Sequence, residues 1–199
     1  MLPLLEMLPE GFTYRPGFAS EAEEATLLER FSRIEFSNFE MRGVIARRRV
    51  AFFGRSYRKA AAESELPIPD FLEPFRVRFA AWAGIPTEAF AMALINEYRP
   101  GAPIGWHRDA PQYEIVVGLS LGSPAQMRFR AYVPPRVSAN MLVDRPRRAV
   151  HQLTLESRSA YLMTGDARQR FEHSIPAVTS LRYSVTFRTL RASHVDEAG

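Results

Sequence analysis

The 199-residue chain is long enough for one domain with a sizeable core, and its 46% hydrophobic and 24% charged residues are ordinary for a globular protein. It contains no cysteine, which excludes disulfides, zinc knuckles and thiol catalysis, and no apolar run long enough to cross a bilayer. The net charge is +4, and because the first ten residues lack the basic start of a signal peptide, we expect a cytoplasmic protein.

The N-terminal part predicts two helices and a strand. Ser20 and Glu23 fit a capping box, in which a hydroxyl and a carboxylate satisfy free amides at a helix start. A strand is expected over 41–53. A second helix over 70–83 has apolar residues at helical spacing and a plausible stop at Gly84, so we expect it to support one face of a sheet.

The stretch from Arg42 to Lys59 is basic and aromatic. It holds seven basic residues, no acidic residue and three interleaved aromatic residues. Such a mixture can follow a phosphate backbone and stack on bases, so residues 42–59 are a candidate substrate lid. A strand pair with solvated arginines and core aromatic residues explains the same pattern equally well.

From residue 91 onward the pattern is that of many short strands separated by turn residues. Such a series is typical of a double-sheet jelly roll. We therefore predict an α+β fold with a single domain over 1–199. Its core is a double-stranded β-helix (jelly roll) over 91–190, and it is buttressed by the N-terminal helices of 1–90. The strands are predicted at 91–98, 115–121, 126–133, 149–155, 160–164, 169–173 and 181–189.

His107 and Asp109 follow a loop rich in glycine and proline and are separated by one residue. In an extended chain, positions i and i+2 point to the same side, so both side chains can reach one point in space. Together with the distant His173 they would form the face of two histidines and one carboxylate that binds non-haem Fe(II) and leaves three positions open. Taken alone, His-x-Asp is more often a polar loop pair, because the two residues fall at this spacing by chance in many proteins.

The last predicted strand has two contrasting faces. One face carries two arginines and two hydroxyl groups, and the other carries Tyr183, Val185 and Phe187. The polar face is either a solvent-facing side or the interior of a barrel that binds an anion. Arginine suits the second role because its fixed fork binds a carboxylate through two hydrogen bonds.

An ordered set of short motifs covers roughly half of the chain. It consists of Asn96-x-Tyr98, Pro100-Gly101, His107-x-Asp109, Leu119-Ser120-Leu121-Gly122, Phe129-Arg130, Leu162-x-x-Gly165-x-x-Arg168, His173-x-Ile175-Pro176 and Arg182-Tyr183-x-x-Thr186-Phe187-Arg188. In this order the set resembles the AlkB-like Fe(II)/2-oxoglutarate dioxygenases. The resemblance implies the jelly-roll fold, with Fe(II), 2-oxoglutarate and O2 as cofactor and cosubstrates.

The resemblance also implies roles for individual residues. His107, Asp109 and His173 match the iron ligands of the family. Residues matching its cosubstrate site fall into two groups: Arg182, Tyr98 and Ser184 at the distal carboxylate of 2-oxoglutarate, and Asn96 and Arg188 near its metal-binding carboxylate.

The expected reaction is oxidative dealkylation, in which an N-alkyl group is hydroxylated and released as an aldehyde. We expect alkylated nucleic-acid bases as substrates, a monomer, and stacking or contact roles for Trp106, Phe53, Tyr57 and Arg168. Arg168 is equally explained as a structural residue, and aromatic residues such as the other three more often serve in packing. Pro111 stands where the best-known repair enzymes of the family carry a second aspartate, which argues against adenine-type recognition. The alternatives are the same chemistry on a protein side chain or small molecule, and a non-catalytic jelly-roll module that binds anions.

Overall fold

Two antiparallel sheets face each other at the centre of the molecule. The computed structural model describes residues 8–41, 44–55, 66–134 and 148–191, and the elements below lie within them. The strands are β1 (Phe12–Arg15), β2 (Ser37–Met41), β3 (Val44–Gly54), β4 (Phe90–Tyr98), β5 (Ile104–His107), β6 (Tyr113–Gly122), β7 (Ala125–Ala131), β8 (His151–Leu155), β9 (Ala160–Met163), β10 (Phe171–Ile175) and β11 (Arg182–Leu190). The helices are α1 (Glu21–Phe31), α2 (Glu73–Ala83) and α3 (Gly165–Gln169).

The sheet topology is that of a double-stranded β-helix. The major sheet has the order β1-β9-β6-β11-β4-β3-β2, and the minor sheet has the order β5-β10-β7-β8. The chain passes repeatedly from one sheet to the other, which is the jelly-roll arrangement. The predicted α+β jelly roll is therefore confirmed.

Helices α1 and α2 cover the outer face of the major sheet, as predicted. The capping box at Ser20 is present, with Glu23 accepting from the Ser20 amide at 2.8 Å. Helix α2 follows a short 3-10 turn and ends at Gly84, whose φ of 68° is a left-handed conformation that favours glycine. Both helices bury apolar side chains against β11, and the Phe79 and Phe187 rings lie 5.8 Å apart.

Alternation along β4 and β11 places polar side chains between the two sheets. The strands pair in register, with Arg182 opposite Tyr98 and Ser184 opposite Asn96. Their other faces carry apolar residues into the helix-covered core. The space between the sheets is therefore lined by the polar face that the sequence pattern predicts for β11.

Of the candidate lid over 42–59, the structure describes residues 44–55, and their role as a substrate lid stays a prediction. Strand β3 pairs with both β2 and β4 and is an integral part of the major sheet. Phe53 packs against the helix-covered core and not toward the site, because alternation places its neighbour Phe52 on the inner face. Tyr57 lies outside the described residues.

Two further details differ from the sequence prediction. Helix α3 occupies 165–169, and the strand expected at 169–173 begins at Phe171 because the turn of α3 precedes it. Of the proline-rich insertion between β7 and β8, residues 135–147 lie outside the described part of the chain. None of the helices in the described ranges has the length and apolar character needed to cross a membrane.

Candidate metal and cosubstrate site

The candidate site is a cavity of about 280 Å³ between the two sheets. His107 ends β5, Asp109 stands two residues later, and His173 lies on β10. Because β5 pairs with β10, His173 is opposite His107 and their ring centroids are 4.2 Å apart. One ligand atom from each of the three residues lies within 4.8 Å of the others. The fold thus brings together the local His-x-Asp pair and the histidine 64 residues beyond Asp109.

Hydrogen bonds orient two of the three candidate ligands. The His107 ring nitrogen Nδ1 lies 2.9 Å from the carbonyl oxygen of Gly105, which can only accept, so Nδ1 carries the proton and Nε2 keeps its lone pair. The Asp109 Oδ1 accepts from an Arg188 guanidinium nitrogen at 3.1 Å. Its Oδ2 lies 3.7 Å from the Nε2 of His173, so the carboxylate faces the imidazole.

Burial and neighbouring charges set the protonation of the three side chains. Burial lowers the pKa of His107 and lowers the pKa of His173 to about 3, so both imidazoles are neutral near pH 7. Burial opposes the charged form of Asp109, but Arg188 and the two histidines outweigh it and hold the pKa of this carboxyl well below its usual range. Two neutral imidazoles and one carboxylate are a donor set that fits Fe(II).

Arg182 provides a buried cation elsewhere in the same cavity. The side chain is 0% exposed, and one of its terminal nitrogens donates to Ser120 Oγ at 3.2 Å. Its Nε and Nη1 groups have no hydrogen-bond partner within the described ranges, and the guanidinium lies 4.9 Å from the centre of the Tyr98 ring. Buried polar groups are nearly always paired, so these N–H groups fit the carboxylate of an acidic cosubstrate.

The other predicted cosubstrate residues line the same cavity as the candidate iron ligands. The Asn96 amide donates to Ser184 Oγ at 3.4 Å, and Arg188 donates to Thr186 Oγ1 at 2.9 Å as well as to Asp109. The structure therefore brings together all eight residues that the sequence assigned to metal and cosubstrate.

Arg48 and Tyr161 are among the cavity residues to which sequence reasoning gave no role in the metal and cosubstrate site. Arg48 comes from β3 and donates from Nε to Asn96 Oδ1 at 3.2 Å, while Tyr161 comes from β9. The signal in the sequence was the alternation of each strand. That signal could not show which face pointed inward until the pairing of β3 with β4 and of β9 with β6 was known.

The structure separates the predicted substrate residues. Trp106 lines the cavity, and the guanidinium groups of Arg128 and Arg130 lie 5.2 and 4.3 Å from its ring centre. Arg168 is buried behind the loop that carries Asp109 and donates to the backbone carbonyls of Ala110 and Tyr113. Its contacts are those of a residue that supports the ligand loop.

Comparison with known proteins gives consistent results. The 2OG-Fe(II) oxygenase superfamily matches residues 11–188. The chain is 28% identical over 127 residues to the probable RNA/DNA demethylase ALKBH6 of Danio rerio, covering 63% of this chain and 53% of that protein. It is 28% identical over 181 residues to the tRNA (carboxymethyluridine(34)-5-O)-methyltransferase ALKBH8 of Mus musculus, covering 86% of this chain and 25% of that protein. It therefore spans about half or less of the length of these relatives.

A solved structure shares the fold. The chain superposes on OsALKBH1 with a TM-score of 0.67, covering 92% of this chain and 100% of the other at 15% identity.

Proposed function

Since the chain belongs to the 2OG-Fe(II) oxygenase superfamily, we propose that it removes N-alkyl groups from nucleic-acid bases by oxidative dealkylation. Fe(II), 2-oxoglutarate and O2 together supply the oxidation of a substrate C–H bond to C–OH, while 2-oxoglutarate is converted to succinate and carbon dioxide. An alkyl group hydroxylated on the carbon attached to nitrogen then loses its O–H proton, the C–N bond breaks, and an aldehyde leaves as the nitrogen takes up a proton.

The protein side chains have binding and positioning roles in this scheme. His107, Asp109 and His173 would hold the metal, and the Gly105 carbonyl keeps the His107 lone pair available. Arg188 keeps Asp109 ionised and fixes one of its oxygens. Arg182 would bind the distal carboxylate of 2-oxoglutarate through its two unpaired N–H groups. The apolar walls limit water, so that these electrostatic contacts are stronger than in solution.

A cluster of arginines and rings around Trp106 is the observation that carries the choice of nucleic acid. Met127 and Phe129 of β7 face the interior, so Arg128 and Arg130 lie on the outer face of the minor sheet, next to the cavity residue Trp106. Trp106 is flanked by two arginines, and the exposed Arg108 lies 3.5 Å from the centre of the Tyr132 ring. Glu172 pairs with Arg130 and Arg148 at 2.7 and 3.2 Å. The cluster thus holds four arginines and one carboxylate, that of Glu172, and keeps a net positive charge. Arginines can bind phosphates, and the aromatic rings beside them can stack on bases.

A second candidate function keeps the chemistry but changes the substrate to a protein side chain or small molecule. The observation that favours it is the distribution of the β3 arginines. Arg48 points into the cavity, whereas Arg49 lies on the opposite face and pairs with Glu97 at 2.9 Å. This strand therefore does not present the continuous basic surface that a nucleic-acid lid requires.

The first experiment is an anaerobic titration of the metal-free protein with Fe(II) and 2-oxoglutarate, monitored by the weak visible metal-to-ligand charge-transfer band. The loaded protein is then given single-stranded oligonucleotides that carry N-methylated bases, and formaldehyde and the demethylated base are measured. Formaldehyde release in step with demethylation supports the proposal. A charge-transfer band without demethylation of any DNA or RNA substrate would move the second candidate function to the front.

The role of the arginine cluster around Trp106 is tested by the double variant R128E/R130E. We expect weaker oligonucleotide binding, and a slope of log K against log salt that is reduced by about one for each phosphate that the variant no longer neutralises. R33E is the matched control, because Arg33 lies beyond the end of α1 and pairs with Glu29 on the surface, at 2.6 Å. Equal salt slopes in R128E/R130E and the wild type would contradict the role of this surface.

A further inference from the structure

The floor of the cavity is formed by an unusual pair of neighbours, Gly118 and Tyr161. In the major sheet, Gly118 of β6 lies opposite Tyr161 of β9 on one side and opposite Thr186 of β11 on the other. All three positions share the inner face of the sheet. The glycine therefore removes a side chain from the middle of the floor, between the strand that carries Tyr161 and the strand that carries the two cavity arginines.

The phenol of Tyr161 fills the space that Gly118 leaves. A Cβ atom at position 118 would lie 2.6 Å from the Tyr161 hydroxyl oxygen, and closer still to the ring. On β1, the Phe12 ring stacks on the same phenol with centroids 6.0 Å apart and planes 20° apart. The ring is thus fixed across the backbone of β6, and only glycine at position 118 permits this arrangement.

The hydroxyl of Tyr161 lies in the cavity and takes no part in the hydrogen bonding of the fold. The residue is 8% exposed and lines the cavity, and its hydroxyl makes no hydrogen bond to any of the residues described. Burial, together with the negative charge of Asp109, raises the pKa of Tyr161, so the group remains a neutral donor at physiological pH. A hydroxyl that faces the cavity and is not bonded within the described part of the protein is available to a ligand.

The phenol lies between the two ends of the cavity. Tyr161 is opposite Gly118, which stands on β6 between Val116, opposite Arg188 at the metal end, and Gly122, opposite Arg182 at the carboxylate-binding end. A 2-oxo acid held by the metal ligands and by Arg182 at once must span these two ends. Its carbon chain therefore passes over the floor that Tyr161 and Gly118 form.

We propose that Tyr161 determines the affinity and the chain length of the 2-oxo acid: its hydroxyl hydrogen-bonds to the bound acid, and its ring over Gly118 limits how long that acid can be. The residue acts as a specificity-determining wall of the cosubstrate cavity. This role requires the 2-oxo acid chemistry of the superfamily and is independent of which molecule is dealkylated.

The test measures binding of two acids, 2-oxoglutarate and its longer homologue 2-oxoadipate, to the Fe(II)-loaded protein without O2. Dissociation constants come from the charge-transfer band and, independently, from calorimetry with Mn(II) in place of Fe(II). Tyr161→Phe keeps the ring and removes the donor, so we expect the dissociation constant for 2-oxoglutarate to rise about tenfold. Tyr161→Leu opens the floor, and we expect its preference to move about tenfold toward 2-oxoadipate.

Gly118→Ala tests whether the glycine acts through the tyrosine. The new Cβ pushes the phenol into the cavity, and we expect 2-oxoglutarate to bind about tenfold more weakly. In the Tyr161→Leu background the same change should have a much smaller effect, because the clashing ring is absent. Tyr14→Phe is the matched control: Tyr14 lies opposite Tyr161 on β1, and its hydroxyl accepts from the Glu156 amide outside the cavity.

These measurements separate a binding role from a merely structural one. A loss of packing lowers stability without changing the ratio of the two dissociation constants, whereas the proposed role changes that ratio. Unchanged 2-oxoglutarate affinity in Tyr161→Phe overturns the proposal, and so does a wild-type ratio in folded Tyr161→Leu. If Tyr161→Leu does not fold, Tyr161→Met replaces it with a flexible side chain that also lacks the ring.

Discussion

The two faces of β11 divide stability from function within one strand. Toward the helices the strand presents Tyr183, Val185 and Phe187, and Phe187 is packed between the rings of Phe79 and Phe90. Toward the cavity it presents Arg182, Ser184, Thr186 and Arg188, which are equally buried. Burying two guanidinium groups opposes folding unless they are paired.

The contrast teaches that burial alone does not identify a core. On the helix side, burial removes apolar surface from water and stabilises the fold. On the cavity side, N–H groups of Arg182 and Arg188 are buried without a partner among the residues described. The burial of these unpaired N–H groups destabilises the fold, and the apolar face of the same strand offsets this loss. A bound carboxylate would pair with them and restore the lost hydrogen bonds.

The largest effect is expected at the metal end of the polar face. Asp109→Asn keeps the shape of the side chain but removes the charge, so we expect turnover to fall to background and the charge-transfer band to disappear. Asp166→Asn is the control, since Asp166 pairs with Arg170 on α3 outside the cavity at 3.2 Å. Activity in Asp109→Asn equal to that of this control would remove Asp109 from the ligand set.

On the apolar face, Phe187→Ala is expected to reduce the free energy of unfolding by about 3–5 kcal/mol, because it leaves a cavity beneath the helices. Urea unfolding measures the loss. The variant that remains folded at low temperature should bind 2-oxoglutarate within about twofold of the wild type, on the usual additivity of separate sites. A large loss of affinity without a loss of stability would show that the two faces are not independent.

Arg182→Met should give the opposite result. The loss of two charge-assisted hydrogen bonds is expected to weaken 2-oxoglutarate binding by about a hundredfold. The free energy of unfolding should be unchanged or higher, because a buried cation with unpaired N–H groups is replaced by an apolar side chain. Binding and urea unfolding measured on the same preparation decide the matter. Destabilisation with intact binding would assign Arg182 a structural role.

The smallest expected effect is a gradual change in the stability of the metal-free protein with pH. The unfolded chain protonates His173 below about pH 6.5, whereas the folded protein resists protonation until about pH 3. Between these values the unfolded state binds more protons, so the metal-free protein loses stability as the pH falls through this window. The urea midpoint at several pH values checks this. His173→Gln should flatten the dependence, and an unchanged slope in that variant would contradict it.

The sequence by itself determined whatever depends on neighbouring positions. The i, i+2 spacing placed His107 and Asp109 on one side, the alternation in 182–188 separated arginines from apolar residues, and the capping box at Ser20 fixed a helix start. The short strands with their turn residues predicted a jelly roll. The structure reproduces these features because each is set by a backbone period or a local hydrogen bond.

Only the tertiary structure decided which distant residues share the cavity. Strand pairing brought Arg48 and Tyr161 inward, turned Phe53 toward the helices in place of Phe52, and put Arg168 behind the ligand loop. A shift of one residue in register exchanges the two faces of a strand, and register depends on partners far along the chain. Local spacing therefore revealed the candidate ligands, while the walls around them depended on how the sheets assembled.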